Sequence, residues 1–384
     1  MAAFTLNGSS TTPRDLLAGE DGIIGQNGAL MILSGDAIDG TGSNNVFVAG
    51  SVIATSGRGI DLNNATSSYV LISSTGSILS RLDGVEIDLG SGFTQATVSN
   101  AGTVESASDG VDMRGFDTTS FLRFVNSGTV SGRSDALVIG DAGDVDVINS
   151  GTLSGFNSAI NTNVGAADSV RIVNTGELIG GSGQALFSGL LSQTTLINSG
   201  QIEGALLFSD LADVYNGRLG TIEGDINGAS GDDMLRGGEG TEIMFGGADD
   251  DLLMGRGGDD ELDGGSDFDT LMGGKGDDLL MGGGRPDELH GGKGDDTLSG
   301  GGGGDTFFFK RVTGEDRITD FQDGLDRIDL TDFDLQNFNA LQGSGALSND
   351  FNGVRIDLAA INGSGAILID GIQVGDLSAA DFVF

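Results

Sequence analysis

The stretch GGKGDDLLM GGGRPDELH GGKGDDTLS, residues 273–299, consists of three consecutive nine-residue units. The same unit repeats nine times without an insertion from Gly228 to Phe308. Position 1 is Gly and position 6 is acidic in every unit, and position 8 is always apolar. A flexible linker has no reason to keep an apolar residue at every ninth position. The stretch therefore predicts a folded repeat with one inward side chain per unit.

The composition of the whole chain extends this pattern and excludes several classes of protein. Its 384 residues include 70 Gly, 2 Pro and no Cys, and the net charge is −39. Scarce Pro excludes collagen, and missing Cys excludes disulfide scaffolds and cysteine-ligated metal sites. Nucleic acid is excluded as a partner because its phosphates would be repelled. No transmembrane segment is expected, since no apolar run reaches about 18 residues.

The nine units match the pattern G-G-x-G-x-D-x-U-x, where U is apolar. The chain therefore resembles the RTX family of secreted bacterial proteins, which carry the hemolysin-type calcium-binding repeat. The resemblance implies that six residues of each unit form a turn and three form a short strand. It also implies that two units make one coil of a parallel β-roll, with Ca²⁺ held between neighbouring turns.

The residue types fit calcium chemistry as well. Ca²⁺ prefers six to eight oxygen ligands, and Gly lets a turn adopt left-handed conformations that bring carbonyl oxygens together. Residues 228–308 carry 20 acidic against 5 basic residues, so folding should be coupled to the binding of several Ca²⁺ ions. The expected metal ligands are the position-6 acids and four position-4 glycines: Asp233, Glu242, Asp251, Asp260, Asp269, Asp278, Asp287, Asp296, Asp305, Gly231, Gly258, Gly276 and Gly294.

The two edges of the predicted roll should differ. On one edge the units keep Gly at position 4, which predicts firm sites around Asp260, Asp278 and Asp296. On the other edge position 4 is occupied by Asp249, Asp267 and Arg285. Pro286 is expected to hold Arg285 in an extended conformation, so the site near Asp287 should be the weakest. The calcium site of the second nonapeptide is also doubtful, because Glu242 stands where the other units have Asp.

A second repeat precedes the nonapeptides over residues 45–227. It is seen in TVSNAGTV, RFVNSGTV, DVINSGTL, RIVNTGEL and TLINSGQI, at a period of 20–26 residues. Short β-rich segments between Gly, Asn and Ser turns predict three strands per coil of a right-handed parallel β-helix. Residues 1–44 are expected to form its N-terminal cap and first coils. One Asn per coil should lie in a column, as a hydrogen-bonded ladder or as a binding face: Asn100, Asn126, Asn149, Asn174 and Asn198.

Residues 309–384 predict a C-terminal β-rich cap, which completes an all-β chain. Alternating segments such as residues 327–330 and 354–358 read as strands. The chain ends in Asp381, Phe382, Val383 and Phe384. This ending resembles the uncleaved C-terminal signal that type I secretion machinery recognises. The resemblance implies a secreted, extracellular or cell-surface protein; an ordinary cap without a signal is the alternative.

The β-helix admits two functions. It resembles adhesin-type and autotransporter-passenger β-helices, which implies a non-enzymatic surface, matrix or adhesion module that contacts cell-surface polysaccharide or other copies of itself. The alternative is a polysaccharide-active glycosidase, lyase or epimerase, because RTX tails follow such β-helical enzymes. Residues 1–227 contain no Lys and no His, and acids such as Asp83, Glu86 and Asp112 are expected in solvated loops. No residue is assigned a catalytic role.

Overall fold

The computed structural model describes residues 2–91, 94–115, 119–164, 169–189 and 192–384. The chain forms two compact units, one of residues 1–211 with Gly220–Gly224 and one of Ala212–Leu219 with Asp225–Phe384. Both are built from parallel strands that pair from coil to coil. This confirms the predicted all-β class: a parallel β-helix, a β-roll and a β-rich C-terminal segment. The predicted boundaries after residues 44, 227 and 308 stay predictions.

The first unit has three strands in most coils. One column contains Ala2–Leu6, Asp21–Ile24, Asn45–Val48, Ser67–Ile72, Gln95–Asn100, Phe121–Asn126, Asp144–Asn149, Ser169–Asn174 and Gln193–Asn198. The second contains Ser9–Ser10, Ala29–Ile32, Ser51–Ala54, Ser77–Ser80, Thr103–Ser106, Thr129–Gly132, Thr152–Gly155, Glu177–Phe187, Gln201–Leu207 and Thr221–Glu223. The third contains Arg14–Leu16, Ile38–Thr41, Ile60–Ala65, Val85–Leu89, Val111–Arg114, Leu137–Gly140 and Ser158–Val164.

The stacking of this unit depends on side-chain columns. Inward residues such as Val98, Phe124 and Val147 are fully buried, as the spacing predicts. The Asn column is a hydrogen-bonded ladder: each Nδ2 from Asn100 to Asn174 donates to Oδ1 of the next Asn at 2.8 Å. The Gly that follows each Asn has no room for a side chain, because a Cβ at Gly151 would lie 2.0 Å from the Gly128 carbonyl oxygen.

The second unit has two strand columns that alternate along the chain. One contains Val214–Asn216, Met234–Arg236, Leu252–Met254, Thr270–Lys275, Glu288–Lys293, Thr306–Phe308, Arg327–Asp329 and Phe382–Val383. The other contains Ile226–Ser230, Ile243–Ala248, Glu261–Ser266, Leu279–Gly284, Thr297–Gly302, Val312–Ile318 and Ser364–Asp370. Two further strands, Leu347–Asn349 and Gly353–Asp357, extend the sheet in antiparallel fashion.

The roll core is formed by the position-8 side chains, all of which are 0% exposed: Leu235, Met244, Leu253, Leu262, Leu271, Leu280, Leu289, Leu298 and Phe307. The C-terminal segment adds one element that the sequence did not predict, the α-helix Phe338–Ser344. It also contains the 3-10 helices Thr331–Phe333, Leu358–Ile361 and Ala379–Asp381. Among the described residues, no helix is long and apolar enough to cross a membrane.

Candidate metal centre

The turns of the roll use left-handed backbone at fixed positions. The four position-4 glycines predicted as ligands adopt φ values of 98–126°: Gly231, Gly258, Gly276 and Gly294. The carbonyl oxygens of Gly258 and Gly276 face the adjacent coil, since a Cβ on Gly276 would lie 2.0 Å from the Gly258 oxygen. The same holds for Gly294 and the Gly276 oxygen. The turns therefore bring a column of carbonyl oxygens into the space between coils.

The position-6 carboxylates form a ladder along each edge. One oxygen, Oδ1, accepts the backbone N–H of the position-6 residue in the preceding coil. Asp260 N donates to Asp278 Oδ1 at 2.9 Å, and Asp278 N donates to Asp296 Oδ1 at 3.0 Å. On the other edge Asp251 N donates to Asp269 Oδ1 at 2.8 Å. The ladder fixes each carboxylate between two coils.

The second carboxylate oxygen is buried without a hydrogen-bond donor. This is true of Oδ2 in eight aspartates of the described structure: Asp233, Asp251, Asp260, Asp269, Asp278, Asp287, Asp296 and Asp305. These residues are at most 3% exposed. A buried oxygen that lacks a partner costs about 1–3 kcal/mol, and more when it is charged. The fold therefore needs a proton or a cation at each of these positions.

Burial raises the pKa of these carboxyls. The pKa rises to about 7 at Asp260 and Asp278 and to about 8 at Asp296. The backbone N–H from the neighbouring coil lowers these pKa values and nearby carboxylates raise them, but burial is the largest cause. Near neutral pH, an ionised column is therefore strongly disfavoured unless a cation compensates it.

The invariant position-1 glycine makes room for the carboxylate. A Cβ at Gly273 would lie 2.2 Å from Oδ2 of Asp278 in the same unit. The corresponding distance is 2.1 Å between Gly255 and Asp260 Oδ2. Position 1 is thus Gly because the unpartnered oxygen occupies the place of a side chain.

The donor set fits Ca²⁺. Hard carboxylate oxygens and backbone carbonyls are the ligands that this ion prefers, and the ion supplies positive charge to the buried oxygens when bound. Among the residues that the structure describes, no three acidic or His side chains converge into a metal site. Carbonyl oxygens must therefore complete the ligand set, as the turns allow.

Two aspartates that sequence reasoning missed continue the ladders beyond the nonapeptides. Asp316 Oδ1 accepts Asp296 N at 3.1 Å, and Asp326 Oδ1 accepts Asp305 N at 3.0 Å. Their second oxygens are satisfied by the protein, through the Thr313 hydroxyl and the Gln322 N–H. The triplets Asp-Arg-Ile at residues 316–318 and 326–328 repeat positions 6 to 8 of the nonapeptide and could have revealed them.

The second nonapeptide, residues 237–245, also satisfies its own carboxylate. Glu242 Oε2 accepts the Gly238 N–H at 3.0 Å, while Glu242 N donates to Asp260 Oδ1 at 2.8 Å. The longer side chain folds back onto its own turn. Glu242 thus joins the ladder through its backbone, and its carboxylate has less need of a cation.

The two edges differ in their backbone. Asp249, Asp267 and Arg285 adopt φ values of 74–78°, so they keep the left-handed turn at a cost that Gly avoids. The expectation that Pro286 holds Arg285 extended is wrong, because stacking against the neighbouring turns outweighs the local preference. Unpartnered oxygens occur on both edges.

A second ladder, formed by position-5 aspartates, also separates the edges. Asp295 N donates to Asp277 Oδ1 at 2.8 Å, and Asp277 N donates to Asp259 Oδ1 at 2.9 Å. On the opposite edge the series reaches Phe268 and then Pro286, which have no carboxylate. The edge with Gly at position 4 is therefore also the edge with the longer outer ladder.

Asp83, Glu86 and Asp112 of the β-helix are buried rather than solvated, which corrects the sequence-based expectation. Glu86 pairs in register with Asp61 and Asp112 on the adjacent strands, and these three residues are 9%, 5% and 2% exposed, respectively. Arg58 forms ion pairs with Glu86, with Asp61 at 3.3 Å and with Asp83 at 3.5 Å. Asp112 pairs instead with Arg114 at 2.6 Å. These acids can be buried because the two arginines compensate their charge.

Comparison with known families agrees with the geometry of the roll. The RTX calcium-binding nonapeptide repeat matches in four copies, at residues 225–253, 236–271, 254–287 and 272–307. No match was found among the curated proteins. The family match covers the region in which the unpartnered carboxylate oxygens lie.

Proposed function

Residues 225–307 belong to the RTX calcium-binding repeats, and from this premise we propose that the chain is a secreted protein whose roll folds when Ca²⁺ binds outside the cell. The observation that carries the proposal is the set of eight buried aspartate oxygens without donors, arranged in two columns, one along each edge of the roll. In calcium-poor cytoplasm these carboxylates repel one another and keep the roll unfolded. Outside the cell, calcium binding supplies the folding free energy.

Export through type I secretion machinery is the second part of the proposal. The tail ends in a short strand, Phe382–Val383, which pairs with Arg327–Asp329, and Asp381 is buried. A roll that is unfolded inside the cell leaves this tail available to the exporter. RTX repeat proteins are typically secreted, which supports the same route.

The sites on the edge that keeps Gly at position 4 are expected to bind calcium more tightly than those on the opposite edge. Asp260, Asp278 and Asp296 combine unpartnered oxygens with glycine at position 4 of their own units. Calcium titration of the full chain, followed by circular dichroism, tests calcium-dependent folding of the roll, and metal occupancy in a calcium-soaked crystal tests the inequality of the two edges. A roll that folds in excess chelator would overturn the proposal, and equal occupancy of both edges would overturn their inequality.

The β-helix is proposed to be a non-enzymatic surface, matrix or adhesion module. Its coils are held by an amide ladder, and its buried acids are held in ion pairs with Arg58 and Arg114. Groups fixed in this way stabilise a scaffold. Incubation of the calcium-loaded protein with bacterial and algal polysaccharides should release no sugar, whereas the protein should bind surfaces or assemble when calcium is present.

One observation favours a polysaccharide-active enzyme as the second candidate. Burial raises the pKa of Glu86 to about 8, whereas at the adjacent Asp83 burial is outweighed by hydrogen bonds and the pKa is lowered. Carboxyl groups whose pKa values are pushed apart are the usual arrangement of an acid and a base. Sugar release that disappears in Glu86→Gln but persists in the exposed control Glu105→Gln would establish this alternative.

A further inference from the structure

All three lysines of the chain line one cavity on the roll. Lys275, Lys293 and Lys310 surround it together with Arg256 and Val312, and its volume is about 260 Å³. We call the four cationic residues the basic groove. In a chain with a net charge of −39, basic residues placed only for solubility would have no reason to gather at one point.

The cations of the basic groove form a row along the stack of coils. Lys275 and Lys293 pair in register on neighbouring strands, so their side chains start about 4.8 Å apart along the stack. Arg256 lies on the preceding coil, where its carbonyl oxygen accepts the Lys275 N–H at 3.0 Å. Charges that repeat at the coil spacing suit an extended polyanion better than a single small anion.

Most of the cations in the basic groove are available to a ligand. In the part of the chain that the structure describes, Lys275 pairs with Glu239 at 3.2 Å, while Arg256, Lys293 and Lys310 have no ion-pair partner. Arg256 adopts a φ of 85° at position 2, where the later coils have Gly274 and Gly292. A strained arginine at a position that favours Gly is an indication of function.

An aromatic surface adjoins the groove. A second, smaller cavity shares Gly292 and Lys310 with the first and is also lined by His290 and Phe308. The two rings are stacked, with centroids 4.2 Å apart. A flat apolar surface beside cations suits a ligand ring with an apolar face and an anionic substituent, such as a sugar that carries a carboxylate.

We propose that the basic groove and the His290–Phe308 pair bind a linear acidic polysaccharide that carries carboxylates. The cations meet the carboxylates of successive sugars, and the aromatic pair contacts a sugar ring. A nucleic acid is disfavoured because the surrounding acidic surface repels its denser charge. The inference requires a folded roll but no other part of the proposed function.

The test compares variants of the full chain in saturating calcium. Lys293→Ala/Lys310→Ala removes two unpaired cations, and Arg133→Ala/Arg218→Ala removes two exposed arginines elsewhere as a matched control. Arg256→Gly removes a charge and relieves backbone strain, so it separates binding from folding. Binding to short hyaluronan fragments, neutral dextran and single-stranded DNA is measured at two salt concentrations, with circular dichroism as the check on folding.

Hyaluronan fragments should bind in a salt-sensitive manner, and the double lysine variant should weaken binding about tenfold. Arg256→Gly should bind more weakly than the native chain although its roll folds at least as well. The arginine control should bind as the native chain does. Equal binding of dextran, tighter binding of DNA, or an equal loss in the control would overturn the proposal. Failure of the roll to fold in calcium would instead count against the proposed function.

Discussion

In the β-helix, one Asn side chain per coil donates to the Asn of the next coil; in the roll, one Asp per coil accepts a backbone N–H and leaves its second oxygen without a donor. Both ladders lie between parallel coils and both are buried. An amide carries a donor and an acceptor, whereas a carboxylate carries acceptors only. This one chemical difference separates a self-sufficient coil from one that needs a cation.

The largest effect is expected from placing an acid in the amide ladder. In Asn149→Asp, the Nδ2 that donates to Asn174 Oδ1, Gly151 O and Glu177 O is replaced by an acceptor. The β-helix should lose about 3–5 kcal/mol of unfolding free energy, because buried acceptors lose their donor and face a charge. Chemical denaturation measures the loss.

The matched control is Asn157→Asp, which makes the same chemical change at an exposed position. It should change the unfolding free energy by less than about 0.5 kcal/mol. If both variants are equally mild, the buried amide ladder does not stabilise the coils as described.

The reciprocal change places an amide in the acid ladder. Asp278→Asn replaces the unpartnered, acceptor-only Oδ2 atom with an amide group that can donate. It also removes one negative charge from the middle of the column. The calcium concentration at the folding midpoint should rise about tenfold, while the calcium-free roll should become more stable. Calcium titration followed by circular dichroism measures both, with the exposed Glu288→Gln as the control. An unchanged midpoint would remove Asp278 from the proposed ligands.

The pH dependence of the calcium-free roll should distinguish the ladders further. Carboxyls such as Asp260 and Asp278 have a pKa raised from 3.8 to about 7 in the folded state. The stabilisation that these carboxyls contribute when protonated is fully present below pH 3.8 and is lost as the pH rises through about 7. In chelator, the roll should therefore gain structure on acidification, whereas the Asn ladder has no group that titrates. A roll that becomes more stable from pH 5 to pH 8 without calcium would contradict this sign.

A smaller effect is expected from the difference between the two edges. Arg285→Gly removes a non-glycine residue from left-handed backbone and should stabilise the calcium-loaded roll by about 1 kcal/mol. Gly294→Arg makes the reverse change on the other edge, where a Cβ would lie 2.0 Å from the Gly276 carbonyl oxygen, and should destabilise it. Thermal unfolding in saturating calcium measures both. Equal shifts in the same direction would show that position 4 does not distinguish the edges.

Much of the arrangement of both repeats can be derived from the sequence, because it depends on the spacing of equivalent residues. The Asn column and the position-8 leucines follow from strict periods that place equivalent residues one coil apart. The unpartnered Oδ2 atoms could not be derived, since they depend on which carboxylate oxygen meets the neighbouring backbone. The roles of Asp316 and Asp326 were missed because insertions interrupt the nine-residue period before them. The burial of Glu86 was missed because its partner Arg58 lies on another coil.

The most direct test is backbone hydrogen exchange of the full chain at pH 7.5, with calcium and with excess chelator. We predict that amides at the position-6 residues and in the strands that follow them lose protection in chelator and regain it with calcium. The amides of Gly102, Gly128, Gly151, Gly176 and Gly200, which lie beside the Asn ladder, should stay protected in both conditions. A roll that stays protected in chelator would contradict the central claim, as would loss of protection in both ladders together.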